Sequence, residues 1–319
     1  MSHDVYVACT LPEPAQRPFV DRFTVRFNRL GRTLSAKEMI ELSAGAAALV
    51  VTATDRLDAA TIAALPSSIR IIGTYSVGHE HIDLAAATAR NLAVTSTPDV
   101  LSDSCADTAI LLMLGAARRA VEGLALVRSG DWAGWNPLQL LGTEMYGRRL
   151  GIVGMGRIGR AIAKRARAFD MAVHYHNRRE LPADVATGAR FHDSLASLMH
   201  VSDFLCVACP ASPQTHHLID AVAIAQLPDG AVVTNIARGD IIDDEALIAA
   251  LRNGKVAAAG LDVFDNEPAI NPAYRQLPNV FGLPHIGSAT MATRIGMSRA
   301  LSEGIAAFLG GESTAQRLV

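Results

Sequence analysis

Three polar residues late in the chain stand in otherwise small or apolar surroundings: Arg238 in Ile236-Ala237-Arg238-Gly239-Asp240, Glu267 in Asp265-Asn266-Glu267-Pro268, and His285 in Leu283-Pro284-His285-Ile286-Gly287. The planar fork of an arginine can hold a carboxylate and polarise a neighbouring carbonyl. A histidine can pass a proton near neutral pH, and a carboxylate beside it fixes the imidazole tautomer and stabilises the charged ring. Together these groups suit a reaction at a C–O carbon next to a carboxylate. Singly, each has a bland alternative as an ordinary structural polar residue. Their elements make the group worth assembling: Arg238 and His285 each follow an apolar run that reads as a strand, and Glu267 lies in the loop after a strand ending near Val263. In an open α/β sheet ligands lie at the carboxyl ends of strands, so residues from separate strands can meet on one substrate.

The scaffold for such a site is announced by Leu150-Gly151-Ile152-Val153-Gly154-Met155-Gly156-Arg157-Ile158-Gly159-Arg160, an apolar strand running into G-x-G-x-x-G and then a helix over Ile158 to Phe169. Gly154 makes the turn, Gly156 admits a pyrophosphate, Gly159 lets helix pack on strand, and N–H groups at the helix start face the anion. Gly154, Met155, Gly156, Arg157, Ile158 and Gly159 are therefore candidate dinucleotide contacts. The next strand, Ala172 to His176, ends at Asn177-Arg178-Arg179, where an NAD site carries a carboxylate for the ribose 2′-hydroxyl. Asn177 can donate to a 2′-phosphate and Arg178 and Arg179 can grip it, which reads as NADPH over NADH. The bland alternative keeps both arginines as solvated loop charges, with Glu180 reaching the ribose.

Strand and helix patterns alternate along the chain. Strands are expected over Val5 to Cys9, Ala48 to Thr52, Ile69 to Gly73 and Leu92 to Thr95, with helices over Ala36 to Leu42, Ala59 to Leu65 and Leu84 to Arg90. A second series of strands begins at Leu150, Ala172, Phe204, Ala231, Ala257 and Val280, with helices between them including Asp244 to Arg252. The fold class is α/β, with two doubly wound parallel units of which only the second carries a phosphate loop. Ser104 to Arg128 reads as one long helix capped by Asp103 or Ser102, broken by Gly130-Asp131-Trp132-Ala133-Gly134-Trp135-Asn136-Pro137. Two tryptophans in such a loop call for a cover, either a second subunit or the same chain. A last helix is expected over Ser288 to Leu309.

Composition bounds the rest. Half of the 319 residues are apolar and the formal net charge is −2, so a large two-domain core is expected and no electrostatic footprint for nucleic acid. Cys9, Cys105, Cys206 and Cys209 lie in or near apolar segments, and Cys206 and Cys209, within an expected strand Phe204 to Cys209, read as small apolar side chains rather than metal ligands. The start Met1-Ser2-His3-Asp4 lacks a leader pattern, and the longest charge-free apolar stretch, Thr108 to Ala117, is too short to span a bilayer. A cytoplasmic protein with no membrane or nucleic-acid partner and no metal is expected.

Gly154 to Gly159, Asn235-Ile236-Ala237-Arg238-Gly239, Gly260-Leu261-Asp262-Val263-Phe264-Asp265-Asn266-Glu267-Pro268 and Pro284-His285-Ile286-Gly287-Ser288-Ala289-Thr290 resemble, in order and spacing, the signatures of the D-isomer-specific 2-hydroxyacid dehydrogenase family. The resemblance covers nearly the whole chain, and the last motif with Asn177-Arg178-Arg179 is similar to glyoxylate and hydroxypyruvate reductases that prefer NADPH. It implies that Arg238 binds substrate, Glu267 pairs with His285, His285 is the acid, Asp262 contacts the nicotinamide carboxamide, and Pro210 and Ala237 border the cofactor. Tyr75-Ser76-Val77-Gly78-His79 resembles the family's substrate loop, in which amides of residues such as Val77 and Gly78 cradle the carboxylate. It further implies a flavodoxin-like substrate domain of residues 1–98 plus 288–319, a cofactor domain of residues 99–287 inserted into it, hinges at Pro98-Asp99 and Ile286-Gly287, and a homodimer in which Trp135 reaches the neighbouring site.

His79 and Glu80 depart from the family's usual substrate loop and point to a polar substrate tail, while His216-His217 read as solvent-facing. Three alternatives stay open. A bulkier 2-keto acid such as phenylpyruvate or 2-ketogluconate could be the substrate. A formate or phosphite dehydrogenase shares the architecture, although Glu267 with His285 speaks against formate. A nucleotide-sensing corepressor-like dimer shares the triad. About ten residues follow the last helix, too few for an added regulatory domain.

Overall fold

The computed structural model describes residues 3–312 and 317–319; the leader argument at Met1-Ser2, and residues 313–316 of the expected substrate domain, lie outside them. Elements follow in the order β1 (Asp4–Val7), α1 (Glu13–Val20), β2 (Thr24–Phe27), α2 (Ala36–Leu42), β3 (Ala48–Val51), α3 (Ala59–Ala64), β4 (Ile71–Thr74), α4 (Leu84–Ala89) and β5 (Ala93–Thr95). Then come α5 (Ser102–Ala117), α6 (Ala120–Ser129), β6 (Arg149–Val153), α7 (Arg157–Ala166), β7 (Ala172–His176), α8 (Ala183–Ala186), β8 (Arg190–His192), α9 (Leu195–Met199) and β9 (Phe204–Val207). The chain ends with α10 (Ala221–Ala225), β10 (Ala231–Asn235), α11 (Asp244–Asn253), β11 (Val256–Leu261), β12 (Val280–Gly282) and α12 (Met291–Leu309). No described helix is long and apolar enough to cross a membrane.

The chain divides into two compact units, Met1–Leu101 with Ala289–Val319, and Ser102–Ser288. The first holds a five-stranded parallel sheet in the order β2-β1-β3-β4-β5. Both faces of a parallel sheet are covered, so its inner strands read as unbroken apolar runs, as in the wholly buried Ala48-Leu49-Val50-Val51. Within this unit α12 packs on α1 and β4, and Leu318 returns to β5, donating its N–H to the Val94 carbonyl at 2.7 Å. The second unit holds a seven-stranded parallel sheet in the order β12-β11-β10-β9-β6-β7-β8, with the topological switch between β6 and β9. One core cluster of this unit joins β9, β10 and β11 to α9, α10 and α11 through residues such as Leu205, Val233, Leu247 and Ile248.

Several expectations need correction. The single helix over Ser104 to Arg128 is two helices: Arg119 sits in the left-handed region at φ 55°, and the Ala117 carbonyl accepts from Thr143 N–H at 2.8 Å instead of continuing the helical ladder. Ser102 and Asp103 belong to the first turn of α5 rather than to its cap. The last helix begins at Met291, because the Thr290 side chain caps it by accepting from Thr293 N–H. The strand at Phe204 ends with Val207, so Cys206 lies in it, fully buried, and the half-buried Cys209 lies beyond it. Helix α1 and the edge strands β2 and β8 are further elements beyond those expected from the sequence pattern. The chain itself does not cover the tryptophans: Trp135 is 84% exposed and Trp132 55%.

Candidate active site

Each candidate residue follows from the parallel sheet of the second unit. Strand β6 delivers Gly154, β10 delivers Arg238, β11 delivers Asp262 and Glu267, and β12 delivers His285, all at the same carboxyl edge because the strands run in one direction. At the switch point Gly154 takes φ 98°, and a Cβ there would lie 2.5 Å from the Cys209 nitrogen, so only glycine makes this turn. A Cβ on Gly159 would lie 2.3 Å from the Gly154 carbonyl oxygen, which is why the helix can pack so closely on the strand. Gly156 is different: it is exposed, caps α7, and a Cβ there would meet nothing within 4 Å. That open space before the N–H groups of Arg157 and Ile158 fits a diphosphate.

Asn177 is tied into the same turn. Its Oδ1 accepts the Met155 N–H at 2.7 Å, so the Met155 amide serves the loop, and the Asn177 amino group is the donor left for a ribose substituent. Arg178 and Arg179 are exposed beside it, as is Glu180. Pro210 is exposed and Ala237 half-buried, and both also lie past strand carboxyl ends.

Arg238, Glu267 and His285 come together. Asn235 shapes the Arg238 turn, accepting from Ala237 N–H at 3.0 Å and donating from Nδ2 to the Arg238 carbonyl at 2.8 Å. Gly239 then touches the next loop so closely that a Cβ would lie 1.8 Å from the Phe264 carbonyl carbon, which draws Arg238 beside the Glu267 loop. Glu267 accepts from Phe264 N–H at 3.2 Å through one oxygen and from His285 Nδ1 through the other. Burial pushes the Glu267 carboxyl up, but the hydrogen bond and charge of His285, with Phe264 N–H and Arg238, outweigh it and hold the group below its ordinary range. An ionised carboxylate only accepts, so the imidazole donates from Nδ1 and Nε2 is the atom that can exchange a proton.

Asp262 holds the His285 turn from beneath. It is 2% exposed; its Oδ1 accepts from Ile286 N–H at 2.8 Å and its Oδ2 from Gly287 N–H at 2.7 Å, while His285 N–H donates to the Asp262 carbonyl at 2.8 Å. These bonds keep His285 in the left-handed region at φ 55°, an uncommon conformation for a residue with a side chain. Burial raises the Asp262 carboxyl despite the two amides. Ser104 on α5 completes the clamp by donating to the Gly287 carbonyl at 2.8 Å. Reasoning from the sequence missed Asn235 and Ser104 as positioning groups; the signal for Asn235 was its fixed place three residues before Arg238.

In the other unit Val77 is 39% exposed and Gly78 half-buried, in the loop that follows β4. His216 and His217 are both exposed and stack edge to face, and no group of three metal-ligating side chains occurs among the described residues.

A phosphate turn at the switch point of a parallel sheet, with an Arg, Glu and His group along the same edge, is an arrangement that suits an oxidoreductase with a nicotinamide cofactor. Residues 110–287 match the family of the D-isomer specific 2-hydroxyacid dehydrogenase, NAD binding domain. The chain is 41% identical over 309 residues to a glycerate dehydrogenase of Hyphomicrobium methylovorum, with 96% of each chain covered. It is 46% identical, with a TM-score of 0.95 and 100% of both chains covered, to a structure described as a D-isomer specific 2-hydroxyacid dehydrogenase from Polaromonas sp. JS6 66. An NADPH-dependent glyoxylate/hydroxypyruvate reductase from Sinorhizobium meliloti, in complex with NADP and malonate, is 30% identical with a TM-score of 0.88, covering 100% of this chain and 97% of that one. The chain belongs to the D-isomer specific 2-hydroxyacid dehydrogenase family.

Proposed function

We propose that this enzyme reduces a small 2-keto acid of the glyoxylate or hydroxypyruvate kind to the D-2-hydroxy acid with NADPH. The observation that carries the reading is the Glu267 and His285 pair beside Arg238, on the sheet edge that also bears the phosphate turn. When bound, the nicotinamide supplies the hydride. Arg238 holds the carboxylate and polarises the carbonyl, and His285 delivers the proton from Nε2 to the carbonyl oxygen while Glu267 steadies the imidazolium. Gly154, Gly156, Arg157, Ile158 and Gly159 would hold the diphosphate, and Pro210, Ala237 and Asp262 would border the cofactor, Asp262 near its carboxamide. Val77 and Gly78 would offer amides to the substrate carboxylate. Residues 1–98 plus 288–319 would serve as substrate domain and residues 99–287 as cofactor domain.

Loss of NADPH absorbance on adding glyoxylate or hydroxypyruvate tests this. Turnover only of phenylpyruvate or 2-ketogluconate would replace the substrate, and silence across all four would favour a nucleotide sensor.

NADPH preference rests on Asn177, Arg178 and Arg179, and the sequence similarity to an NADPH-dependent reductase supports it. Asn177→Asp keeps an acceptor for Met155 N–H, so the turn should survive. It replaces the remaining donor by negative charge, which repels a 2′-phosphate and accepts from a 2′-hydroxyl. KM for NADPH should rise about tenfold and KM for NADH fall, a change of roughly 1.4 kcal/mol. Unchanged values for both would return the arginines to the status of solvated loop charges.

We also propose a homodimer. Within residues 111–146, Leu124, Val127, Trp132, Trp135, Leu138, Leu141 and Tyr146 are all more than half exposed, an apolar surface of the kind that associates. Trp135 would reach the partner's substrate site. Sedimentation at micromolar concentration should give twice the 33.7 kDa chain mass, and a monomer there would end this proposal.

A further inference from the structure

The loop after β4 carries a polar relay that none of these roles uses. Ser76 Oγ donates to the Gly78 carbonyl at 2.6 Å and lies 2.7 Å from Thr74 Oγ1, which in turn lies 2.9 Å from His81 Nε2. A hydroxyl has one proton. Since that of Ser76 goes to Gly78, the proton between the two hydroxyls belongs to Thr74, and the proton between Thr74 and the ring belongs to His81 Nε2. The direction of the chain is thereby set from end to end. Thr74 is fully buried and Ser76 is 9% exposed, so these bonds lie largely out of water, where an unpaired hydroxyl is costly.

The far end of the relay is anchored. The His81 carbonyl accepts from Leu57 N–H at 2.8 Å, and Leu57 and Ile82 form a parallel bridge. The near end acts on a peptide plane. In a trans peptide the C=O and the following N–H point in opposite directions. Holding the Gly78 carbonyl on Ser76 therefore turns the His79 N–H away from Ser76. The loop's other polar groups are used to hold it in place: Tyr75 N–H donates to Val51, the Ser76 carbonyl accepts from Thr97, and the His79 carbonyl accepts from Ile82. Among the described residues none accepts a hydrogen bond from the amides of Val77, Gly78 or His79. Successive amides without a protein acceptor, with the planes on either side of Val77–Gly78 held by Thr97 and Ser76, are donors of the kind that bind an anion.

We propose that His81, Thr74 and Ser76 are positioning residues that set the Gly78–His79 peptide so that His79 N–H joins those of Val77 and Gly78 as a third donor to the substrate carboxylate; this rests on the 2-keto acid reading above. A carboxylate is the same in the ground and transition states, so the relay acts on KM and leaves kcat largely alone.

The test compares Thr74→Val, which keeps the shape and deletes the linking hydroxyl, with Thr74→Ser, which retains it, and with Ser76→Ala as a second break. Steady-state kinetics with glyoxylate should show KM raised about tenfold in Thr74→Val and Ser76→Ala, kcat within about threefold of wild type, and KM restored in Thr74→Ser. NADPH affinity should be unchanged throughout. Wild-type KM in Ser76→Ala, or a loss confined to kcat, would overturn the relay, and Ser76→Ala decides the matter even if Thr74→Val is unstable. Calorimetric titration of the NADPH-loaded enzyme with oxalate separates this from the reductase reading. A wild type that reduces no keto acid sinks that reading, while the relay still requires a tenfold weaker oxalate affinity in Ser76→Ala and is overturned if affinity is unchanged.

Discussion

His285→Ala should lower kcat for keto-acid reduction by roughly a hundred- to ten-thousand-fold, the range that a positioned general acid contributes, with NADPH affinity within a few-fold of wild type. The two effects separate because of where the ring sits. Its Nδ1 is engaged by Glu267 and its backbone N–H by the Asp262 carbonyl, so the imidazole is held through its own side chain and through the turn, which leaves Nε2 as the atom for the proposed proton transfer. Alanine deletes the proton donor but retains the backbone bonds from Ile286 and Gly287 to Asp262 that hold the loop. The phosphate turn lies on other strands and loses nothing. Stopped-flow or steady-state NADPH oxidation for kcat, with nucleotide fluorescence titration for affinity, checks both halves. Turnover within tenfold of wild type would remove His285 from the role of acid; a large loss of NADPH affinity would show that its contribution lies in the cofactor site.

The parts of this site that could be read from the sequence are those where a residue type is forced by its task. Gly154 and Gly159 are such cases, since a Cβ at either would collide with backbone, and so the motif survives in the letters themselves. Arg238 stands out as the single cation between Asn235 and Asp240 and His285 as the single titratable side chain between Leu283 and Gly287, whereas Glu267 shares its loop with Asp262 and Asp265 and is picked out by its pairing with the histidine. What stayed hidden is set by contacts between distant segments. Nothing at Arg118-Arg119 announces the break between α5 and α6, because it comes from distant Thr143 taking the Ala117 carbonyl, an approach that Gly142 admits, and from Glu122 pairing with Arg119 at 2.6 Å, not from a glycine or proline at the break itself. Strands β2 and β8 lie at sheet edges, where Arg26 within β2, and Arg190 and His192 at the two ends of β8, leave no apolar run of the kind that marks a central strand. The bond from Met155 to Asn177 likewise joins residues 22 apart, and it changes the argument about the ribose: it assigns the two ends of the Asn177 amide, which the sequence left undefined.

Arg238→Ala should raise KM and lower kcat together, with kcat/KM falling by about a thousandfold. The size follows from two charge-assisted hydrogen bonds of roughly 1.5–3 kcal/mol each, converted at 1.4 kcal/mol per factor of ten. The division between the parameters follows from the role proposed for the guanidinium: a share spent on the carboxylate would be present before and during reaction and appear in KM, while a share spent on the carbonyl would grow as charge develops on oxygen and appear in kcat. The local structure allows this variant to fold, because the turn is built by the Asn235 side chain, which holds the Arg238 carbonyl, and by Gly239 against Phe264; the guanidinium's own bond to the Ala237 carbonyl at 2.7 Å is lost, but these contacts remain. Arg238→Lys restores the charge but not the paired geometry and should recover part of KM with little of kcat. A wild-type KM in the alanine variant would mean that the substrate's carboxylate is held elsewhere. With kcat still reduced, the guanidinium would then act on the carbonyl alone, and the carboxylate would depend on the amides of the loop after β4.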